Sequence, residues 1–255
     1  MADTSNKTSV AQKQYTDVQL RDLKKIDRTV AQMLEDGAGL LSRKLLLQRL
    51  REFGLSHNNW GGLATYQDWY NVSLAGCMQV PTELADFLLY AAKTQPRSMI
   101  EVGVFTGGTA IFAAAFFKAL FNDFEYVCLD IKDQLLILPE TDERLGMRYE
   151  FGKTSDDFEG QSFDVVFIDG DHSFLWAKRD YLNLGRYANK ICAFHDINAK
   201  EYLAKGGGVY TFWRNLRSSA ARDLSVVELC HSAAHVGIQD DGNWMGIGIM
   251  DVTTR

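Results

Sequence analysis

Apolar residues recur at two different periods along the chain, and the change of period divides it. From Asp17 they fall at Val18, Leu20, Leu23, Ile26, Val30, Met33 and Leu34. Steps mostly of three and four predict an amphipathic helix, and Asp36-Gly37-Ala38-Gly39 ends it. A second helical pattern carries Leu41, Leu45, Leu46, Leu50 and Phe53 and stops at Gly54. An irregular stretch follows, with Asn58, Asn59, Gly61 and Gly62 among Trp60, Tyr66, Trp69 and Tyr70. Pro81 then opens a third helix through Leu84, Phe87, Leu88 and Ala91.

From Ser98 short apolar runs alternate with helical segments. Strands are expected at Met99–Val104, Tyr126–Asp130, Arg148–Phe151, Asp164–Ile168 and Ile191–His195, with helices at Gly107–Phe121 and Phe174–Leu184. This alternation predicts βαβ units and a parallel sheet covered on both faces. Ser225–Leu229 and Met245–Val252 read as two further strands. The turn residues Asp240-Asp241-Gly242-Asn243 make an antiparallel last strand plausible. The expected organisation is a disordered tail over 1–15, an N-terminal helical region over 16–75 and an α/β domain over 76–255. The amphipathic N-terminal faces need a partner, either the sheet domain or another subunit in a homo-oligomer.

Composition narrows the classes. The 255 residues are 46% hydrophobic and 24% charged, which suits a globular core. A net charge of −6 disfavours nucleic acid as the main partner. The longest apolar run, Ala110 to Phe117, is too short to span a bilayer, and the polar N-terminus shows no secretory signal. Cys77, Cys128, Cys192 and Cys230 lie far apart with no CxxC pair, which argues for a reducing, cytoplasmic setting.

In parallel sheets ligands sit beyond the carboxyl ends of the strands, so those ends are where chemistry is sought. The first ends Glu101-Val102-Gly103-Val104-Phe105-Thr106-Gly107-Gly108. Its glycines allow a sharp turn and a close approach by a ligand. The spacing is not GxGxxG, so a nicotinamide-dependent oxidoreductase is the weaker reading. Glu101 disfavours a phosphate and suits an amine or sulfonium. Asp130, at the second strand's end, can accept the hydroxyls of a ribose. The fourth strand ends Asp169-Gly170-Asp171-His172, and the fifth ends His195-Asp196-Ile197-Asn198. Asp169 and Asp196, with His195 or Asn198 nearby, are candidate ligands for Mg²⁺ or Mn²⁺. A neutral His172 could take a proton from a metal-bound hydroxyl.

Glu101-x-Gly103-x-x-x-Gly107 followed by Asp130 resembles the class I S-adenosylmethionine-dependent methyltransferases. The Asp169–His172 run with Phe194-His195-Asp196 looks like a metal-dependent O-methyltransferase subgroup that includes macrolide-sugar methyltransferases and cephalosporin-hydroxylase-like proteins. The resemblance covers roughly residues 75–250. It implies a doubly wound, Rossmann-like seven-stranded sheet, mostly parallel, with appended N-terminal helices. It further implies that Glu101, Gly103, Thr106, Gly107, Asp130, Ser155 and Asp169 line the cofactor. Asp169 and Asp196 become metal ligands and His172 the general base. His195 stands where the subgroup commonly has Glu, which leaves the third ligand open. The implied reaction is methyl transfer to a hydroxyl of a small molecule such as a sugar, polyketide or catechol. A methyltransferase-like binding module without turnover is the other alternative.

Blander readings stand beside these. The glycine loop could be a tight turn, the two aspartates helix caps, and His172 an ordinary loop residue. The Trp60, Tyr66, Trp69 and Tyr70 group is a packing cluster or a lid, with Gly206-Gly207-Gly208 as a hinge. His231 and His235 lie four apart, but no helical frame supports a zinc role.

Overall fold

The computed structural model describes residues 13–56, 72–200, 203, 206–220, 224–231 and 245–254. Helix α1 (Asp17–Asp36) opens on Thr16, whose side chain accepts from the Gln19 amide while the Gln19 side chain accepts from the Thr16 amide. This reciprocal cap satisfies two amides that the first turn leaves unpaired. Leu23, Ile26, Val30 and Met33 form its buried stripe. Helix α2 (Arg43–Phe53) buries Leu46, Leu50 and Phe53 and ends at Gly54, where φ is 102°. Two-residue strands β1 (Leu55–Ser56) and β2 (Val72–Ser73) pair in parallel. Helix α3 (Pro81–Lys93) starts on the proline, which lacks the amide that position leaves unpaired.

The main sheet comprises β3 (Ser98–Val102), β4 (Glu125–Asp130), β5 (Arg148–Phe151), β6 (Val165–Ile168), β7 (Ile191–His195), β8 (Ser225–Leu229) and β9 (Ile247–Asp251). Between them lie α4 (Gly108–Leu120), α5 (Pro139–Leu145), α6 (Phe174–Asn183) and α7 (Gly208–Ala220). The strand order is β5-β4-β3-β6-β7-β9-β8, parallel except at β9, which runs antiparallel to both neighbours. The expected seven-stranded sheet with an antiparallel last strand is therefore present.

Alternate strand residues feed two cores. Met99, Tyr126, Cys128, Val165 and Phe167 pack with α1 to α4 on one face. Ile100, Val127, Leu129, Val166 and Ile168 pack with Ala177 of α6 and with Phe212 and Trp213 of α7 on the other. A parallel sheet buried on both faces needs this continuous apolar pattern. The run Ala110–Phe117 is buried throughout because α4 lies between the sheet and α1. The amphipathic N-terminal helices thus find their partner surface within the chain.

Some expectations change. Strand β3 ends at Val102, two residues early, because Gly103 turns to φ 88°. A Cβ at Gly103 would lie 2.3 Å from the Asp169 carbonyl oxygen, so its missing side chain admits protein backbone rather than ligand. Helix α5 is unanticipated; it buries only Thr141 and Leu145 and so carries no apolar period. Residues 13–15, counted with the tail, are anchored. Lys13 pairs with Asp133 and donates to the Leu135 carbonyl at 2.8 Å, and the Tyr15 hydroxyl donates to the Ile137 carbonyl at 2.8 Å. Residues 1–12, the Trp60 to Tyr70 aromatics, His235 and the turn 240–243 lie outside the described residues. Among the described residues no helix is long and apolar enough to cross a membrane.

Candidate active site

The carboxyl ends of β3, β4, β6 and β7 open onto one cleft of about 790 Å³. On one side runs the turn from β3 into α4. Asp130, the last residue of β4, ties this turn down: its Oδ2 accepts from the Val104 and Phe105 amides, both at 2.9 Å. Its Oδ1 accepts from the Lys132 amide at 3.0 Å. These bonds hold Phe105 at φ 50°, a left-handed conformation rare for a non-glycine residue. Asp130 therefore shapes the loop first, and Oδ1 keeps the acceptor capacity that a ribose hydroxyl would use. The Thr106 hydroxyl lines the cleft, and its buried oxygen has no partner among the described residues. A ligand with a polar edge is the natural complement to such an orphan. Gly107, at φ 87°, lets Leu135 seat against the loop.

Glu101 lies beneath this turn and is almost wholly buried. Burial pushes its carboxyl up to about 8, against the hydrogen bond from the Tyr126 hydroxyl, with Asp169 and Asp130 adding to the rise. That shift favours the protonated carboxyl near neutral pH. Desolvation thus works against the negative charge that would suit an amine or sulfonium.

The ends of β6 and β7 form the other side. The Asp169 Oδ1 lies 3.0 Å from the His195 Nδ1, which lies 3.5 Å from the Asp196 Oδ1. Ligand atoms of Asp169, His195 and Asp196 all fall within 4.8 Å of one another. His172 Nε2 stands 3.1 Å from the Asp196 Oδ2 and 3.9 Å from the Asp169 Oδ1, at the mouth, with its side chain 31% exposed. Asp196 adopts φ 59°, which turns its carboxylate back toward His195 at a cost of roughly 1–2 kcal/mol for a non-glycine residue.

The charges are strongly interdependent. Burial lowers the His195 imidazole, but Asp169 and Asp196 outweigh it and push the group well above the usual histidine range. Asp169 is held well below the usual carboxylate range, because His195 and His172 overcome its burial. His172 is raised too, by Asp169 and Asp196 working against burial. The donor set of two carboxylates and one imidazole, with room beside them, suits a divalent cation.

Ser155 lines the cleft, but its hydroxyl is committed: it donates to the Asp180 Oδ1 at 2.6 Å and accepts from the Asn183 Nδ2 at 3.2 Å. Burial pushes the Asp180 carboxyl up to about 6. Four residues of the site escaped the sequence reading. Gln79 donates from Nε2 to the Asp169 Oδ2 at 2.7 Å and accepts from the Thr109 hydroxyl. Tyr126 holds Glu101, and Asp180 holds Ser155. Glu83 accepts from the His231 amide at 2.7 Å and the Gly246 amide at 3.2 Å. Gln79 and Glu83 flank Pro81, far in sequence from the strand ends, and no local signal marks them. Tyr126 and Asp180 lie on faces the pattern assigns to packing. His231 is engaged at α3, with its Nε2 3.6 Å from Asp86. Gly206, Gly207 and Gly208 all have positive φ, and the next residue, Val209, donates its amide to the His172 carbonyl at 3.0 Å.

No protein-family model matches the chain, and no curated protein matches it. Solved structures do. A Klebsiella pneumoniae protein provisionally described as an O-methyltransferase is 15% identical, covers 95% of this chain and 92% of its own, and has a TM-score of 0.53. An O-methyltransferase from Bacillus cereus, in complex with S-adenosylhomocysteine, is 16% identical, covers 68% and 82%, and scores 0.50. A Streptomyces achromogenes O-methyltransferase of tomaymycin synthesis, in complex with S-adenosylmethionine, is 13% identical, covers 75% and 87%, and scores 0.50. At these identities the likeness carries the fold, which is the Rossmann-like fold of the class I methyltransferases.

Proposed function

We propose that this chain is an S-adenosylmethionine-dependent O-methyltransferase that methylates a hydroxyl of a small molecule, with a divalent cation assisting and His172 as general base. The carrying observation is the convergence, on one cleft, of the turn locked by Asp130 and the Asp169, His195, Asp196 and His172 group. Fold neighbours bound to S-adenosylmethionine or its product support the choice of cofactor. A sugar, polyketide or catechol-like acceptor suits an open cleft of this size with a cation site at its rim. A reducing, cytoplasmic setting is consistent with four cysteines that form no disulfide, three of them buried.

When bound, the cofactor supplies a sulfonium-activated methyl, and a cation supplies Lewis acidity that lowers the pKa of a hydroxyl. The chain's residues do the rest. Gly103 to Gly107, Asp130 and Ser155 would seat the cofactor, with Asp169 lining both its side of the cleft and the cation site. Asp169, Asp196 and His195 would hold the cation. His172 Nε2 faces the same point and accepts the acceptor hydroxyl's proton. That role needs a neutral imidazole, and the two carboxylates work against it. Sharing their charge with a cation relieves that pull.

Isothermal titration with S-adenosylhomocysteine, joined to a labelled-methyl assay over a panel of hydroxyl compounds, tests the reading. His172→Ala and Asp196→Ala should each cut turnover by about 100-fold or more while leaving cofactor affinity nearly unchanged. Absence of S-adenosylhomocysteine binding at millimolar ligand sinks the proposal. Binding without turnover on any acceptor favours the non-catalytic module.

A further inference from the structure

We infer that the cation site selects a borderline transition ion, such as Mn²⁺, Co²⁺ or Zn²⁺, over Mg²⁺, because His195 presents a nitrogen ligand from inside the protein. The inference rests on the reading of Asp169, His195 and Asp196 as a divalent-cation site.

Three observations carry it. The first is spacing. Two ligands at right angles around an ion about 2.1 Å from each lie about 3.0 Å apart, and tetrahedral ones about 3.4 Å. The His195 Nδ1 lies 3.0 Å from one carboxylate oxygen and 3.5 Å from the other. Both spacings fit an imidazole that shares an ion with the two carboxylates.

The second is immobility. His195 ends β7 and pairs with Ile247 of β9, and its side chain is 5% exposed. It has no room to swing aside for a water. Its Nε2 is buried without a partner among the described residues, so the ring's polar contacts lie on the Nδ1 side. Asp169 is equally fixed, because the Gln79 amide holds its other oxygen.

The third is donor chemistry. Mg²⁺ favours oxygen ligands and keeps several waters, and Ca²⁺ takes six to eight oxygens at longer range. Imidazole suits the later first-row ions. A site whose third protein ligand is an unavoidable nitrogen penalises Mg²⁺ and rewards ions that bind nitrogen well. The remaining positions stay open to water and to the acceptor hydroxyl.

The test uses the full chain titrated with MnCl₂, with and without S-adenosylhomocysteine. Bound Mn²⁺ is read from loss of the free-ion electron paramagnetic resonance signal, followed by competition with MgCl₂ and with CoCl₂. One Mn²⁺ should bind, Co²⁺ should displace it near parity, and Mg²⁺ only at about 100-fold excess or more. Pulsed resonance should show ¹⁴N coupling to the bound ion. That coupling should vanish in His195→Gln and persist in His172→Gln. His195→Gln should also narrow the preference over Mg²⁺ by about ten-fold or more, with retained S-adenosylhomocysteine binding as the check that it folds. Mg²⁺ competing at parity, or Mn²⁺ bound without nitrogen coupling, overturns the inference and leaves the cation reading standing. No Mn²⁺ binding under either condition removes both, and leaves a protonated His195 as the carboxylates' partner. The wild-type arms decide the matter even where His195→Gln is unfolded.

Discussion

At Gln79 one buried amide joins the start of α4 to Asp169 of the proposed cation site. It accepts from Thr109 and donates to Asp169, so the carboxylate's direction is set by a residue ninety positions away. Gln79→Leu takes this partner from the Thr109 hydroxyl and from the Asp169 Oδ2, at a cost of about 1–3 kcal/mol. The variant should lose about ten-fold or more in kcat/KM and bind its cation more weakly, while its circular dichroism stays that of a folded protein. Unchanged cation affinity in a folded Gln79→Leu would show that Asp169 holds its position without the amide.

Glu83 offers a second residue-scale test. Burial pushes its carboxyl up to about 7, against the hydrogen bonds from His231 and Gly246. A raised carboxyl means that the folded chain holds this proton more tightly than the unfolded one. Its contribution is fully present below the ordinary glutamate range and is lost as pH rises through about 7. Urea denaturation should therefore show stability falling between pH 4.5 and 7, by on the order of 3 kcal/mol from this group. Glu83→Gln should flatten that part of the profile. A variant with the same slope as wild type would place the dependence elsewhere.

At the scale of elements, the N-terminal segment braces the connection after β4. Lys13 and Tyr15 hold Asp133, Leu135 and Ile137, and Asp27 of α1 accepts from the Thr141 hydroxyl at 2.8 Å and pairs with Arg144. Leu135 in turn seats against Gly107, and the Leu136 amide donates to the Thr106 carbonyl at 3.0 Å. The brace thus reaches the cofactor turn in two steps. Combining Lys13→Ala with Tyr15→Phe should weaken S-adenosylhomocysteine binding about three- to ten-fold by titration calorimetry, since each lost hydrogen bond is worth about 1 kcal/mol. Equal affinity in the double variant would confine the brace to a structural role. Strands β5, β7 and β8 follow their sequence patterns closely, β7 as a short apolar run and β5 as an alternation of charged and aromatic residues. Helix α5 and the brace left no such trace, since polar contacts between distant segments have no period.

At the scale of the molecule, α1 and α2 share one apolar core with α3, α4 and one face of the sheet. Removing the stripe Leu23, Ile26, Val30 and Met33 would expose the outer side of α4, which is apolar from Ala110 to Phe117. The whole chain should therefore unfold in one transition. Tryptophan fluorescence and far-ultraviolet circular dichroism are expected to give coincident urea midpoints. Two separated transitions would mark the helices as an independent unit.

The residue pattern alone was enough to call the parallel sheet and its acidic strand ends to within about two residues, and it pointed to an antiparallel last strand, because alternation and turn residues are local. It also brought Asp130, Asp169, His172, His195 and Asp196 to one edge. Tertiary structure decided their environments and their partners: Glu101 pushed up by burial, Asp130 engaged by the turn, Asp169 oriented by Gln79, His195 sealed in. Those properties depend on which distant groups exclude water and which lie within about 3 Å. Three-dimensional packing sets both, and no spacing along the chain encodes them.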